Sequence, residues 1–179
     1  MNTLLKNKKV AFIIAFNDFR DEELFIPQSI FRAEGIETKI VSEKKGSAIG
    51  SYGGSVNVDL ILDELNVSDF DAIIFIGGSG AVSYIENEKC HQIAQETLSQ
   101  NKILGAICIA PTILARSSVL KGKKATVWST NLDKSAIKIL EEEGADYQKE
   151  DVVIDGDIIT ASGSQSARKF GETIVRGLV

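Results

Sequence analysis

The sequence has few of the residues that cross-link a chain or build histidine-based sites: two cysteines and one histidine in 179 residues. Two cysteines make no disulfide framework, and a chain of this length buries a full hydrophobic core without one. We therefore expect Cys90 and Cys108 to be reduced. Any special role of a cysteine would be chemical rather than structural.

Long apolar runs and clustered positive charges are also missing. No segment has the run of apolar residues that a signal peptide or a membrane span requires. The formal net charge of −5 disfavours an electrostatic interaction with nucleic acid or with an anionic membrane. We expect a cytoplasmic protein with neither kind of partner.

The residues that are present predict one α/β domain over residues 1–179. Hydrophobic residues make up 44% of the chain and charged residues 25%, which are globular proportions. Buried apolar runs alternate with helical patterns, which predicts a three-layer, doubly wound, mostly parallel sheet with helices on both faces. Asp155-Gly156 predicts a small C-terminal β-hairpin. The predicted strands cover residues 9–16, 38–41, 72–76, 103–107, 125–127, 152–154 and 158–160. The predicted helices cover residues 21–34, 86–100, 110–116, 133–142 and 166–175.

Cys108 lies where a predicted buried strand ends and a short helix begins. Chemistry in doubly wound sheets gathers at the carboxyl ends of the strands. A sharp strand-to-helix turn, with Pro111 early in the helix, is typical of a nucleophile elbow, whose backbone N–H groups favour a thiolate. A small buried core residue explains the same local sequence equally well.

Two neighbouring strand ends could complete a site around this cysteine. Gly77 and Gly78 offer backbone N–H groups that could stabilise an oxyanion, although a plain tight turn explains them too. Glu23 lies in the first turn of a predicted helix capped by Asp21, where a carboxylate interacts favourably with the helix dipole. The acidic residues here have no histidine or cysteine near them in sequence, so no metal site is predicted.

Four segments, in this order, resemble the ThiJ/PfpI superfamily, whose fold is that of class I glutamine amidotransferases. They are DEELFIP at residues 21–27, residues 70–78 ending in Gly77-Gly78, residues 106–112 around Cys108, and VIDG at residues 153–156. The resemblance implies a flavodoxin-like homodimer without cofactor or metal. It also implies Cys108 as nucleophile and Glu23 as its protonated carboxyl partner. The oxyanion and substrate-binding residues would be Gly77, Gly78, Ile109 and Trp128.

The sequence departs from the family pattern at three places. Ile109 stands where the protease-like branch has a histidine, so the chain is more similar to the parkinsonism-associated deglycase branch. Within that branch, Trp128 and Ser162 stand where a histidine and an arginine are common. His91 belongs to a predicted helix, where we expect it to be solvated, with neighbouring Cys90 in the core.

The leading hypothesis is therefore a cofactor-free enzyme of the glyoxalase or deglycase type. Its substrate would be a small aldehyde or a glycated compound, with Cys108 adding to the carbonyl and Glu23 moving protons. The alternative is an oxidative-stress sensor or chaperone-like protein in which Cys108 is oxidised to a sulfinic acid. A peptidase or amidase is the third possibility, and Ile109 counts against it.

Overall fold

The computed structural model describes residues 4–179. Among these residues, none of the helices is long and apolar enough to cross a membrane. The strands are β1 (Lys9–Ile13), β2 (Asn17–Phe19), β3 (Glu37–Ser42), β4 (Ser47–Gly50), β5 (Ser55–Asn57), β6 (Leu60–Ile61), β7 (Ala72–Phe75), β8 (Ile103–Ile107), β9 (Lys124–Ala125), β10 (Asp146–Tyr147), β11 (Val152–Asp155) and β12 (Ile158–Ala161). The α-helices are α1 (Asp21–Ala33), α2 (Glu88–Ser99), α3 (Pro111–Arg116), α4 (Ser135–Glu142) and α5 (Ala167–Gly177).

A seven-stranded sheet forms the middle layer, in the order β11-β12-β8-β7-β1-β3-β6. Its strands run parallel except for β11, which pairs antiparallel with β12. The predicted doubly wound sheet and the C-terminal hairpin are therefore confirmed. The carboxyl ends of β1, β7, β8 and β12 meet at one edge of the sheet, which is where the candidate site lies.

Helices cover both faces of this sheet because its central strands are apolar on both sides. In β1, Val10 and Phe12 pack against α1 and α5, whereas Ala11 and Ile13 face the core that α2, α3 and α4 complete. Successive side chains of a strand point to opposite faces, so a continuous apolar run fills both cores. Cys90 is fully buried in the core that α2, α3 and α4 complete, which confirms the interpretation of Cys90 as a packing residue.

A second sheet, of β2, β4 and β5, folds over the start of α1 and was not predicted. It changes the role of Asp21. The prediction that Asp21 caps the helix is wrong, because Arg20 occupies the N-cap position and makes no side-chain cap. The Asp21 carboxylate instead accepts hydrogen bonds from the backbone N–H groups of Tyr52 (2.8 Å) and Gly54 (2.7 Å). It thereby fixes the β4–β5 loop to the helix that carries Glu23.

Candidate functional site

Cys108 lies at a strained turn between β8 and α3. Its φ of 65° is in the left-handed region, which costs a non-glycine residue about 1–3 kcal/mol. Two hydrogen bonds hold this backbone in place: the Cys108 N–H donates to the Ala161 carbonyl (2.9 Å), and its carbonyl accepts from the Trp128 N–H (2.8 Å). The side chain is half-buried. This is the backbone geometry expected of a nucleophile elbow.

Glu23 projects from the first turn of α1 into the same site and is only 1% exposed. Its Oε2 accepts a hydrogen bond from the Gly77 N–H at 2.9 Å. Its Oε1 is buried and has no well-formed hydrogen bond to any group of residues 4–179. The Cys108 thiol interacts with this carboxyl, although not in the geometry of a strong hydrogen bond. Burial raises the pKa of Glu23 from 4.5 to about 7.

The Cys108 sulfur is subject to opposing influences. Burial and the negative charge of an ionised Glu23 raise the pKa of the thiol to about 12, whereas hydrogen bonds from the N–H groups of Gly78 and Ile109 lower it. Two negative charges in this pocket would repel each other with little water to screen them. The cysteine and the carboxyl therefore titrate as a pair, which loses its first proton near pH 7 and holds one negative charge above that pH.

The Gly77-Gly78 turn allows Cys108, Glu23 and the strand ends to come this close. A Cβ atom on Gly77 would lie 2.7 Å from both the Cys108 Cβ and the Glu23 Oε2. Gly78 has a φ of +104°, and a Cβ there would lie 2.4 Å from the Asp18 carbonyl oxygen. Any side chain at either position would displace the groups that form the site.

We predict that Gly77→Ala separates Cys108 from Glu23. Overpacking at a filled site typically costs about 1–3 kcal/mol, so the unfolding free energy should fall by that amount. Denaturant unfolding measures this effect, and the absorbance of the Cys108 thiolate as a function of pH shows whether the sulfur and the carboxyl still interact. Gly122→Ala is the control for the absorbance measurement, because its positive φ (+74°) strains any side chain but a Cβ there would meet no atom within 4 Å. A Gly77→Ala protein with unchanged stability and an unchanged thiolate titration would contradict the tight packing described here.

A pocket of about 350 Å³ opens above the sulfur. Five residues that the sequence singled out line it: Glu23, Gly78, Cys108, Ile109 and Trp128. Gly77 contacts the pair from behind rather than from the pocket wall. The structure thus brings the six predicted site residues together, with Ile109 and Trp128 supplying apolar surface beside the sulfur.

His91 and Ser162 form hydrogen bonds with groups other than Cys108 and Glu23. His91 is half-buried in α2 rather than solvated, with its Nε2 2.7 Å from the Ile85 carbonyl oxygen. The Ser162 hydroxyl lies 3.3 Å from both the Gln165 Nε2 and the Ser166 Oγ. No imidazole lines the described pocket, so Glu23 is the titratable acid–base group in contact with Cys108.

Five further residues line the pocket that were not predicted as site residues: Arg20, Ser79, Val82, Ser164 and Gln165. The Arg20 guanidinium lies 4.5 Å above the centre of the Tyr52 ring, and its Nε is 2.9 Å from the Glu22 Oε2. Gln165 follows β12, so the rule that chemistry lies at strand ends could have found it. Val82 belongs to a 3-10 turn that carries no recognisable pattern.

The three acidic residues at the start of α1 make different contacts. Asp21 binds the β4–β5 loop, Glu22 pairs with Arg20, and Glu23 faces Cys108. Within residues 4–179, no group of three His, Cys, Asp or Glu side chains is arranged to hold a metal ion.

Comparison with known proteins gives consistent matches over almost the whole chain. The family model described as the DJ-1/PfpI family matches residues 8–177. A deglycase of Pyrococcus furiosus, PfpI, is 35% identical over 153 residues, which is 86% of this chain and 89% of that protein. An uncharacterized protein of Methanocaldococcus jannaschii is 39% identical over 175 residues, 97% of this chain and 84% of that protein.

Solved structures show the same relationship. The crystal structure of a ThiJ/PfpI domain protein from Brachyspira murdochii superimposes with a TM-score of 0.92 at 29% identity, covering 97% of each chain. The fold, the sequence relatives and the family model agree with the resemblance inferred from the four sequence segments. This chain belongs to the DJ-1/PfpI family.

Proposed function

We propose that the protein is a cofactor-free enzyme that acts on small reactive carbonyls such as methylglyoxal, with Cys108 as nucleophile and Glu23 as proton shuttle. One observation carries the proposal. The buried Glu23 carboxyl, whose pKa is raised, lies against Cys108 at a strained turn. The half-buried Cys108 sulfur accepts hydrogen bonds from backbone N–H groups. Groups with perturbed pKa values in a pocket are candidates for acid–base and nucleophilic roles.

The hydrogen-bond donors favour placing the single negative charge of the pair on sulfur. The Cys108 sulfur accepts hydrogen bonds from the N–H groups of Gly78 and Ile109, whereas the Glu23 carboxyl accepts one from the N–H group of Gly77. The Glu23 Oε1, which accepts no other hydrogen bond from the described residues, would carry the proton and donate it toward the sulfur. The reactive form would then be a thiolate beside a neutral acid.

The reaction balances without an external oxidant. The thiolate adds to the aldehyde carbon of methylglyoxal, and the oxyanion takes a proton to give a hemithioacetal. Glu23 then moves a proton from this carbon to the neighbouring ketone carbon, and the hydroxyl proton passes to the ketone oxygen, which oxidises the first carbon to a thioester and reduces the second to an alcohol. Water cleaves the C–S bond, and lactate and the free thiol result. The sum is methylglyoxal plus water giving lactic acid.

The names of the more similar relatives support a carbonyl-directed role over a peptidase role. The relative from Pyrococcus furiosus, at 35% identity, is named a deglycase, whereas a relative from Bacillus subtilis named a putative cysteine protease is 27% identical over 165 residues. A peptidase of this type would need a general base beside the nucleophile, and Ile109 holds the adjacent position. Its side chain can neither accept nor donate a proton.

The test is a lactate assay on the purified, dialysed protein with methylglyoxal as sole substrate. We expect lactate to form in proportion to protein concentration without any added cofactor. Lactate production no faster than in a protein-free control would contradict the proposal.

The alternative function, a cysteine-based oxidation sensor, is favoured by one feature of the same site. The N–H groups of Gly78 and Ile109, together with a protonated Glu23, could hold the oxygens of a Cys108 sulfinate. A sensor needs no turnover, so the lactate assay separates the two functions.

A further inference from the structure

Asp18 is a second strained residue close to the candidate site. Its φ of 58° is in the left-handed region, which aspartate adopts more readily than most residues but still at a cost. Its neighbours in β2 pair with two consecutive residues of β4, Asn17 with Ile49 and Phe19 with Gly50. Asp18 therefore has no partner in β4 and is the extra residue of a β-bulge, a feature that often lies next to active sites.

The Asp18 side chain does not account for this backbone conformation. It is exposed and does not line the pocket above the sulfur. It also forms no ion pair and no hydrogen bond with any other group of residues 4–179. Backbone strain persists only where the surrounding structure holds it, so the contacts of the neighbouring main chain must stabilise the bulge.

The bulge turns the main chain from β4 toward the Gly77-Gly78 turn. The Phe19 carbonyl still accepts a hydrogen bond from a backbone N–H group of the β4–β5 loop, at 2.9 Å. One residue later, the Arg20 N–H donates to the Gly77 carbonyl at 3.1 Å. The Asp18 carbonyl oxygen lies so close to Gly78 that it leaves no room for a Cβ atom there. The segment after the bulge thus contacts the turn through main-chain atoms alone.

The hydrogen bond from Arg20 fixes the direction of the Gly78 N–H group. The Gly77 carbonyl and the Gly78 N–H belong to one planar trans peptide, so they point in opposite directions. Because the carbonyl binds on the side of β2, the N–H points to the other side, where it donates to the Cys108 sulfur. Such a bond is stronger when the acceptor is charged, and it therefore favours the thiolate.

We propose that Asp18 is a positioning residue for the Cys108 sulfur. Its left-handed backbone brings the Arg20 N–H to the Gly77 carbonyl, and this contact directs the Gly78 N–H to the sulfur. Asp18 acts through the main chain, so a residue that adopts a left-handed backbone can replace it and a residue that resists this conformation cannot. The inference deepens the proposed function and rests on it for the catalytic value of the thiolate.

Two substitutions that both remove the Asp18 charge test this role. Glycine adopts a left-handed backbone freely, whereas the β-branched valine resists it. The absorbance of the Cys108 thiolate as a function of pH is the readout. Its midpoint should stay within about 0.5 pH units of wild type in Asp18→Gly and rise by about 1–2 pH units in Asp18→Val, which is what a hydrogen bond to a charged group is worth. If Asp18→Val does not fold, the milder Asp18→Ala takes its place and should give a smaller rise.

Asn101→Val is the matched control for backbone strain. Asn101 is also exposed and has a left-handed φ of 54°, but it precedes β8, so it lies at the edge of the sheet opposite to Cys108. Asn101→Val should lower the denaturant midpoint of unfolding, as Asp18→Val does, and leave the thiolate midpoint unchanged. Equal thiolate midpoints in Asp18→Gly and Asp18→Val would overturn the proposal, and so would an equal rise in Asn101→Val.

A second measurement separates this failure from that of the proposed function. In the amide NMR spectrum, the Gly78 N–H signal should keep its wild-type position in Asp18→Gly and Asn101→Val and move in Asp18→Val. An unmoved Gly78 signal in Asp18→Val would overturn the positioning role. A wild-type thiol that stays protonated until about pH 12 would instead refute the proposed function, and the Gly78 signal would then decide the role of Asp18 by itself.

Discussion

Cys108→Ser is expected to lower kcat/KM for methylglyoxal by at least about 1,000-fold, since removing a catalytic nucleophile typically costs that much or more. A serine hydroxyl remains protonated at every physiological pH and is a far weaker nucleophile than a thiolate. The substitution preserves side-chain size, and the turn is held by backbone hydrogen bonds to Ala161 and Trp128, so the fold should persist. Lactate formation measures the rate, and circular dichroism checks the fold.

Cys90→Ala is the matched control for this experiment. Cys90 is fully buried among core residues, and burial raises the pKa of its thiol to about 12. Its loss should reduce stability by about 1 kcal/mol and leave kcat/KM within about twofold. Cys108→Ser protein with undiminished turnover would exclude Cys108 as the nucleophile.

Glu23→Gln is expected to raise the unfolding free energy at pH 8 by about 1–3 kcal/mol while abolishing most of the activity. The Cys108–Glu23 pair loses its first proton at about pH 7 in the folded protein, whereas the Glu23 carboxyl of the unfolded chain ionises at 4.5, so this proton costs about 3 kcal/mol of stability at pH 8. The glutamine amide avoids this cost and keeps an acceptor for the Gly77 N–H. The buried amide N–H groups offset part of the gain.

The raised pKa of Glu23 determines how the unfolding free energy depends on pH. Between pH 4.5 and 7 the folded protein binds more protons than the unfolded chain, so the contribution of Glu23 to stability declines as the pH rises through this window. Below pH 4.5 both states are protonated and the contribution vanishes. Wild type and Glu23→Gln should therefore differ most above pH 7 and least near pH 4.

Urea unfolding at pH 4.5, 6 and 8 measures the Glu23 contribution. Glu22→Gln is the control, because Glu22 is partly exposed and pairs with Arg20 at the surface, where such a change is worth less than about 0.5 kcal/mol. A Glu23→Gln protein that is less stable than wild type at every pH would show that the carboxyl stabilises the fold, contrary to this account.

The central sheet could be predicted because both of its faces are buried. A strand covered on both sides, such as Ile103–Ile107, has a short, continuous apolar run, which is typical of a buried strand in a parallel sheet. The second sheet could not be predicted for the opposite reason. Its strands are short and largely exposed, and they are set by contacts such as those of Asp21 with the loop at Tyr52 and Gly54.

The candidate site could be predicted only in part. Cys108 and Gly77 follow apolar strands, so the topology alone places them at one edge of the sheet. Glu23 lies on a helix, and its local sequence equally suits a residue that interacts with the helix dipole. Its burial against Cys108 depends on how α1 packs, which only the family resemblance indicated. Arg20 and Val82 reach the pocket from turns that have no periodic pattern.

The most direct test of the central claim is the absorbance of the Cys108 thiolate near 240 nm as a function of pH. Cys108→Ser supplies the baseline, and the buried Cys90 thiol stays protonated in the range of interest. We predict one thiolate per chain with a midpoint well below about 8.5, the ordinary pKa of cysteine, and a higher midpoint in Glu23→Gln, which lacks the proton donor. A wild-type thiol that stays protonated until about pH 12 would show that Glu23 holds the negative charge, and it would contradict the proposed cysteine–carboxyl pair.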